Sequence, residues 1–153
     1  MKQLTIIKRL LVATILLVNV SACALLKGNK GEEVDLIISV AEQVNQDELG
    51  RSSPIVLRLY ELKKEVAVEG MDFFSIYDQT EPDFKTAVSS MKEFQVNPGQ
   101  KLEQLLVTDA TTKYLMLVAA FKDIDNSQWK VVHNIEQSDE LALFIEGKAI
   151  VKQ

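Results

Sequence analysis

Tyr114-Leu115-Met116-Leu117-Val118-Ala119-Ala120-Phe121 is an uninterrupted run of eight apolar residues. Eight residues are short for a buried helix but suit a central strand covered on both faces. Such a strand needs neighbours, and alternating segments lie on either side of it. Upstream, Val34, Leu36, Ile38 and Val40 share one face of a strand. Pro54 to Lys63 follows as a second strand, with Ile55, Leu57 and Leu59 on one face and Val56, Arg58 and Tyr60 on the other. Proline suits the first residue of a strand. Glu93–Val96 and Leu102–Val107 flank Asn97-Pro98-Gly99. There proline presets φ and glycine tolerates φ > 0, the requirements of a type II turn. Downstream, Asp125-Asn126-Ser127 marks a hairpin turn before Trp129, Val131, His133 and Ile135, which alternate inward. Leu141, Leu143 and Ile145 alternate again, and Gly147-Lys148 turns the chain into an edge strand, Ala149–Val151.

Between the second and third strands the period changes. Phe73, Ile76 and Tyr77 fall at helical spacing, and Phe84, Ala87, Val88 and Met91 lie at i, i+3, i+4 and i+7. Thr80 with Asp83 reads as a capping pair, and Pro82 fits a first turn. The expectation is an all-β domain, a two-sheet β-sandwich of about eight strands over residues 34–153. A small helical insert occupies about 70–91.

The N-terminus has a separate task. Residues 1–22 carry Lys2, Lys8 and Arg9, no acid, and an apolar run from Leu10 to Val20. Eleven helical residues span about 16 Å against a hydrocarbon core of roughly 30 Å. The run therefore reads as a signal peptide rather than a membrane span. Val20-Ser21-Ala22-Cys23 matches the lipobox of bacterial lipoproteins, in which the small residues admit the peptidase and the cysteine thiol accepts the lipid. Cys23, the chain's single cysteine, is the expected lipidation site, and no internal disulfide can form. Each buried CH₂ of an acyl chain contributes about 0.8 kcal/mol, so several chains anchor firmly. Ala24 follows the cysteine where aspartate would retain an enterobacterial lipoprotein, so resemblance to that sorting rule implies the outer membrane. Residues 23–33 form a lipidated tether.

Removing residues 1–22 leaves 14 basic and 22 acidic residues, a net charge of −8. Such a domain repels nucleic acid. Chemistry finds little support. His133 lies on a strand among apolar residues and reads as structural. Ser52-Ser53 has no base in sequence and suits a turn. Asp47-Glu48 and Glu32-Glu33 could act as paired acids in a hydrolase, but carboxylates in polar loops are ordinarily solvated. There is no phosphate loop or metal-ligand spacing, so no enzyme, cofactor or metal is expected. The segment Glu42–Ser53 stands out instead. Hairpin loops usually have about two to five residues, and this one has about twelve. A long loop on a rigid sandwich is a binding element. A second reading, a periplasmic carrier or small-ligand binder, rests on Phe73, Phe74, Tyr77 and Phe84 in the insert lining a pocket.

Several stretches together resemble the TssJ (SciN) outer-membrane lipoproteins of type VI secretion systems. They are Asn45 with Gly50-Arg51-Ser52-Ser53-Pro54-Ile55-Val56-Leu57-Arg58-Leu59-Tyr60-Glu61-Leu62, Phe73-Phe74-Ser75-Ile76-Tyr77, Pro98-Gly99, Val118-Ala119-Ala120-Phe121-Lys122-Asp123 and Trp129-Lys130. The resemblance covers essentially the whole mature domain. It implies a transthyretin-like sandwich with a small helical insert, lipid-anchored in the outer membrane and facing the periplasm. It further implies binding to the periplasmic C-terminal region of TssM and association with other membrane-complex subunits, without chemistry. The family's first loop contributes to that contact, which here implicates Val44, Asn45, Gln46, Asp47, Glu48, Leu49, Gly50 and Arg51. The family often has arginine after the tryptophan. Lys130 lacks the planar fork, so no contact role is expected of it.

Overall fold

The eight-residue apolar run forms a strand, Tyr114–Ala120, with all five interior residues buried. In this computed structural model residues 30–153 are described. The signal peptide, Cys23 and the tether up to residue 29 lie outside the described residues. The elements follow in the order β1 (Lys30–Val44), β2 (Ile55–Leu62), α1 (Phe73–Tyr77), α2 (Pro82–Ala87), β3 (Val88–Val96) and β4 (Lys101–Asp109). Then come β5 (Tyr114–Ala120), β6 (Lys130–Asn134), β7 (Glu140–Gly147) and β8 (Ala149–Lys152).

Two four-stranded sheets face each other, ordered β4-β1-β7-β8 and β3-β2-β5-β6. This is the expected two-sheet sandwich. β1 and β7 pair in parallel, with Leu36 opposite Leu141 and Ile38 opposite Leu143. β5 lies between β2 and β6, antiparallel to both, with Leu117 opposite Leu59 on one side and Val131 on the other. Alternation along β5 serves two cores. Leu115, Leu117 and Ala119 join Leu36, Ile38, Leu57, Leu141 and Leu143 between the sheets. Met116 and Val118 face the other way and join Tyr60, Leu62, Ile76, Phe84 and Ala87 under the helical insert. An unbroken apolar run follows, because neither face of β5 meets water.

The insert is held by more than burial. The Phe84 ring meets Tyr60 edge-on at 5.2 Å between centroids. Arg58, on the same face of β2 as Tyr60, donates from Nη1 to the Tyr77 carbonyl at 2.6 Å and from Nε to Glu93 at 2.6 Å. Its guanidinium also lies over the Tyr77 ring, 3.4 Å from the centroid. One arginine thus joins β2, β3 and the end of α1. From β6, Lys130 donates to the carbonyls of Val68 and of Met71, the latter at 3.1 Å, and fixes the segment leading into α1.

Four boundaries differ from expectation. The first strand starts at Lys30, so Lys30–Glu33 belong to β1 and not to the tether. It also runs on to Val44, which shortens the first loop to residues 45–54. The second helix ends at Ala87, and Val88 opens β3. The helical spacing through Val88 and Met91 was overridden because β2 offers a free ladder edge. Val88 pairs with Leu62 and Met91 with Tyr60. Lastly, Thr80 and Asp83 form no capping pair. The N-cap is Glu81, without a side-chain bond, and Pro82 occupies the first turn. At α1 a cap does form, where Asp72 accepts from the Ser75 amide at 3.0 Å.

The Asn97-Pro98-Gly99 turn is present, with Gly99 at φ 74 and Gln100 N donating to Asn97 O at 3.1 Å. It carries the chain from one sheet to the other rather than closing a hairpin within one. The turn expected at Asp125–Ser127 is a 3-10 turn, Ile124–Asn126, within the connection from β5 to β6.

Candidate functional site

The loop between β1 and β2 is tied down at its foot by Asn45. This residue adopts φ 49, a left-handed conformation that asparagine tolerates better than most residues. Its side chain is only 3% exposed. Nδ2 donates to Pro54 O at 2.8 Å, closing the loop, and Oδ1 accepts from the Lys122 amide at 2.8 Å. The Asn45 amide donates to Gly147 O at 2.8 Å. Three separate connections therefore converge on one residue. Val44 beside it is fully buried in the main core. The resemblance implicates both residues in the partner contact; in the free chain both side chains point inward, because β1 extends through Val44 and the loop hangs from Asn45.

Above this foot the loop is built around Asp47. Its Oδ1 accepts from the Leu49 and Arg51 amides at 2.9 and 3.0 Å, and its Oδ2 from Arg51 Nε at 2.8 Å. These bonds, the Arg51 side chain first, hold the Asp47 carboxyl below its ordinary value. Backbone bonds Asp47 N to Arg51 O and Gly50 N to Asp47 O complete a closed tip, with Gly50 at φ 74. Gln46 Nε2 donates to Gly50 O at 3.0 Å. Ser52 accepts from the Val44 amide, and Ser53 from Lys122 Nζ at 2.6 Å, so the serine pair stitches the descending arm.

A polar, ordered tip thus carries one large apolar side chain at its apex. Leu49 is 77% exposed. Glu48, Gly50 and Arg51 around it are also exposed. Below the tip, Gln46, Asp47 and Glu48 share an open cleft of about 640 Å³ with Lys122, Asp123 and Lys148. Lys148 and Asp123 form an ion pair there. Spacing in the sequence marked the loop. It gave no sign of Lys122, Asp123 and Lys148, which come from two distant turns.

The residues considered for chemistry are placed elsewhere or already engaged. His133 is buried on β6, and its Nε2 must carry the proton, since it meets the Ser138 carbonyl at 2.8 Å. Among the described residues Nδ1 has no hydrogen-bond partner. Burial pushes the imidazole below its ordinary value, so it stays neutral at pH 7. Glu32 and Glu33 lie exposed on β1, and adjacent strand residues face opposite ways. Among the described residues no group of three or more His, Cys, Asp or Glu is placed to hold a metal. Among them, too, no helix is long and apolar enough to cross a membrane.

A rigid sandwich with an ordered, apolar-tipped loop is the frame of an interaction module. A family model described as "Type VI secretion lipoprotein, VasD, EvfM, TssJ, VC_A0113" matches residues 32–149. The chain belongs to that family of type VI secretion lipoproteins. Among solved structures it is similar to the type VI secretion lipoprotein TssJ1 from Pseudomonas aeruginosa. The identity is 28% and the TM-score 0.71, covering 80% of this chain and 97% of that one. It shares its fold with Serratia marcescens Lip, described as a membrane bound component of the type VI secretion system. There the identity is 18% and the TM-score 0.64, over 80% and 96% of the two chains. It also shares it with a structure described as the TssM C-terminal domain from EAEC, at 19% identity and TM-score 0.67, over 81% and 98%. No curated protein matches.

Proposed function

We propose that this chain is the outer-membrane lipoprotein of a type VI secretion membrane complex, acylated at Cys23. It binds the periplasmic C-terminal region of TssM through the loop tip Gln46–Arg51 and so holds the apparatus to the outer membrane. The observation that carries this reading is Leu49, an exposed apolar side chain on a loop already ordered by Asp47. Ordering a loop on binding costs free energy, and a tip that is ordered beforehand avoids that cost. Fully burying a leucine contributes about 1.5–3 kcal/mol. Family membership supports the rest: lipid at one end of the chain, membrane-complex association at the other.

Calorimetric titration of the chain with the TssM C-terminal region tests the loop. Leu49→Asp places a charge where burial is expected and should weaken binding at least about tenfold, since 1.4 kcal/mol is a factor of ten. Equal affinity of the variant and the parent would remove the loop from the interface.

Of the four aromatic residues in the carrier reading, Phe84 is fully buried against Tyr60 and Tyr77 is stacked on Phe73 at 4.9 Å, while Phe73 and Phe74 border an open cleft.

A further inference from the structure

Phe74 is the exception among the insert's aromatic residues. It is 62% exposed at the rim of an open cleft of about 420 Å³, on the insert side of the β5–β6 connection. The apolar lining is Met71, Phe73, Phe74, Ile124 and Trp129, with the Phe73 and Trp129 rings edge-to-face at 5.2 Å. Three carboxylates, Glu69, Asp72 and Asp125, stand around it. Asp72 is engaged as the cap of α1. Glu69 and Asp125 are exposed and make no ion pair among the described residues. The one cation in the lining among the described residues, Lys130, has its ammonium on the Val68 and Met71 carbonyls and over the Trp129 ring, 4.4 Å from the centroid. The cleft is therefore aromatic inside and net negative at the rim.

We propose that this cleft is a second docking site, which takes an arginine or lysine side chain, flanked by aliphatic residues, from a partner protein of the membrane complex. One Trp129 face already holds the Lys130 ammonium and one Phe73 face is covered by Tyr77, so the arriving cation is held at the acidic rim and its aliphatic stem lies on the apolar lining. The Glu69 and Asp125 carboxylates accept the charge-assisted hydrogen bonds that an arginine fork donates. Phe74 covers the aliphatic flank, and a buried arginine beside an aromatic side chain is a common energetic anchor of protein interfaces. The same acidic rim disfavours an anionic membrane surface. The site shares the β5–β6 connection with the loop end: Lys122 and Asp123 line one cleft, Ile124 and Asp125 the other. Its occupancy does not depend on Leu49.

Trp129 is the chain's only tryptophan and lines this cleft, so its emission responds to occupancy there, and the substituted chains assign the response to the cleft. The mature chain is titrated with acetyl-Leu-Arg-Leu-amide and with acetyl-Leu-Gln-Leu-amide. The arginine peptide should change Trp129 emission saturably, and the glutamine peptide should bind about tenfold more weakly. Glu69→Gln combined with Asp125→Asn should weaken the arginine peptide about tenfold, with the peptide-free circular dichroism unchanged. Leu49→Asp should leave the titration as it is. The absence of a saturable change, equal binding of the two peptides, or indifference to the double substitution would overturn the proposal. So would loss of the response in Leu49→Asp, which would move the peptide to the loop end. Self-association of the chain that disappears in the double variant would assign the cleft to a second copy and equally overturn it.

Discussion

Asn45 shows how one residue can be mistaken for a contact and turn out to be a hinge pin. Its place in a polar stretch suggested a surface role, yet the side chain is buried and satisfies groups from the β2 entry and the β5–β6 connection. No reading of neighbouring residues reveals partners 9 and 77 positions away. Replacing Asn45 with alanine removes two part-buried hydrogen bonds, to Pro54 O and from the Lys122 amide, and puts alanine at positive φ. A loss of about 2–4 kcal/mol is expected in urea unfolding, with no new contact to compensate. A loss within experimental error would mean that the loop foot carries no load. Asp47 differs: its bonds are local, within four residues, and loops rich in Asp and Gly commonly make them. Its ionised state is held by Arg51 and the loop amides, so the stability these bonds give the tip is full above the ordinary carboxylate pKa and declines as pH falls from there toward the lowered value.

At the scale of elements, strands were far more legible than the insert. Most strands follow from alternation or from the single apolar run, and β3, β4 and β8 from the turns beside them. Alternation is legible because a sandwich strand has one wet and one dry face; β5 is dry on both, and so is the second half of β2, Leu59–Leu62. The ends of elements were not legible where another strand competes for the backbone, as at Val88, or where pairing outlasts the apolar pattern, as at Lys30 and Val44. The insert's attachment was invisible as physics even though its residues were conspicuous. Arg58 and Tyr60 stood out in the resemblance as a string. In the structure they form a clamp on the Tyr77 carbonyl, Arg58 at 2.6 Å and Tyr60 more loosely at 3.4 Å. Arg58→Ala should cost about 1.5–3 kcal/mol, the range for hydrogen bonds to a charged group. Amide exchange should quicken across residues 66–80, while β5 keeps its protection. Uniform acceleration through β5 would show instead that insert and sandwich unfold as one unit. Arg58→Lys should rescue only part of the loss, because one ammonium cannot reach the Tyr77 carbonyl and Glu93 with the same fork.

For the molecule as a whole, the sequence offered no catalytic or metal-ligand motif, and the structure adds two open clefts on the described domain. The described domain offers an ordered apolar-tipped loop on one side of the β5–β6 connection and an aromatic, acid-rimmed cleft on the other. The loop was legible from its length. The cleft was not, because Glu69 and Phe74 are separated from Asp125 and Trp129 by about fifty residues of sequence. In the proposed account the chain works as a bridge, with lipid on Cys23 at one end and the Gln46–Arg51 tip at the other. The most direct measurement is the amount of an exported, soluble TssM C-terminal region that co-sediments with outer membranes. The parent chain should retain it there. Cys23→Ser, whose folded domain is untouched, should release both proteins to the soluble periplasmic fraction. A chain lacking Gln46–Arg51, with Asn45 kept, should stay in the outer membrane and leave the TssM region behind. Retention of the TssM region by the tip-deleted chain, equal to that of the parent, would contradict the account.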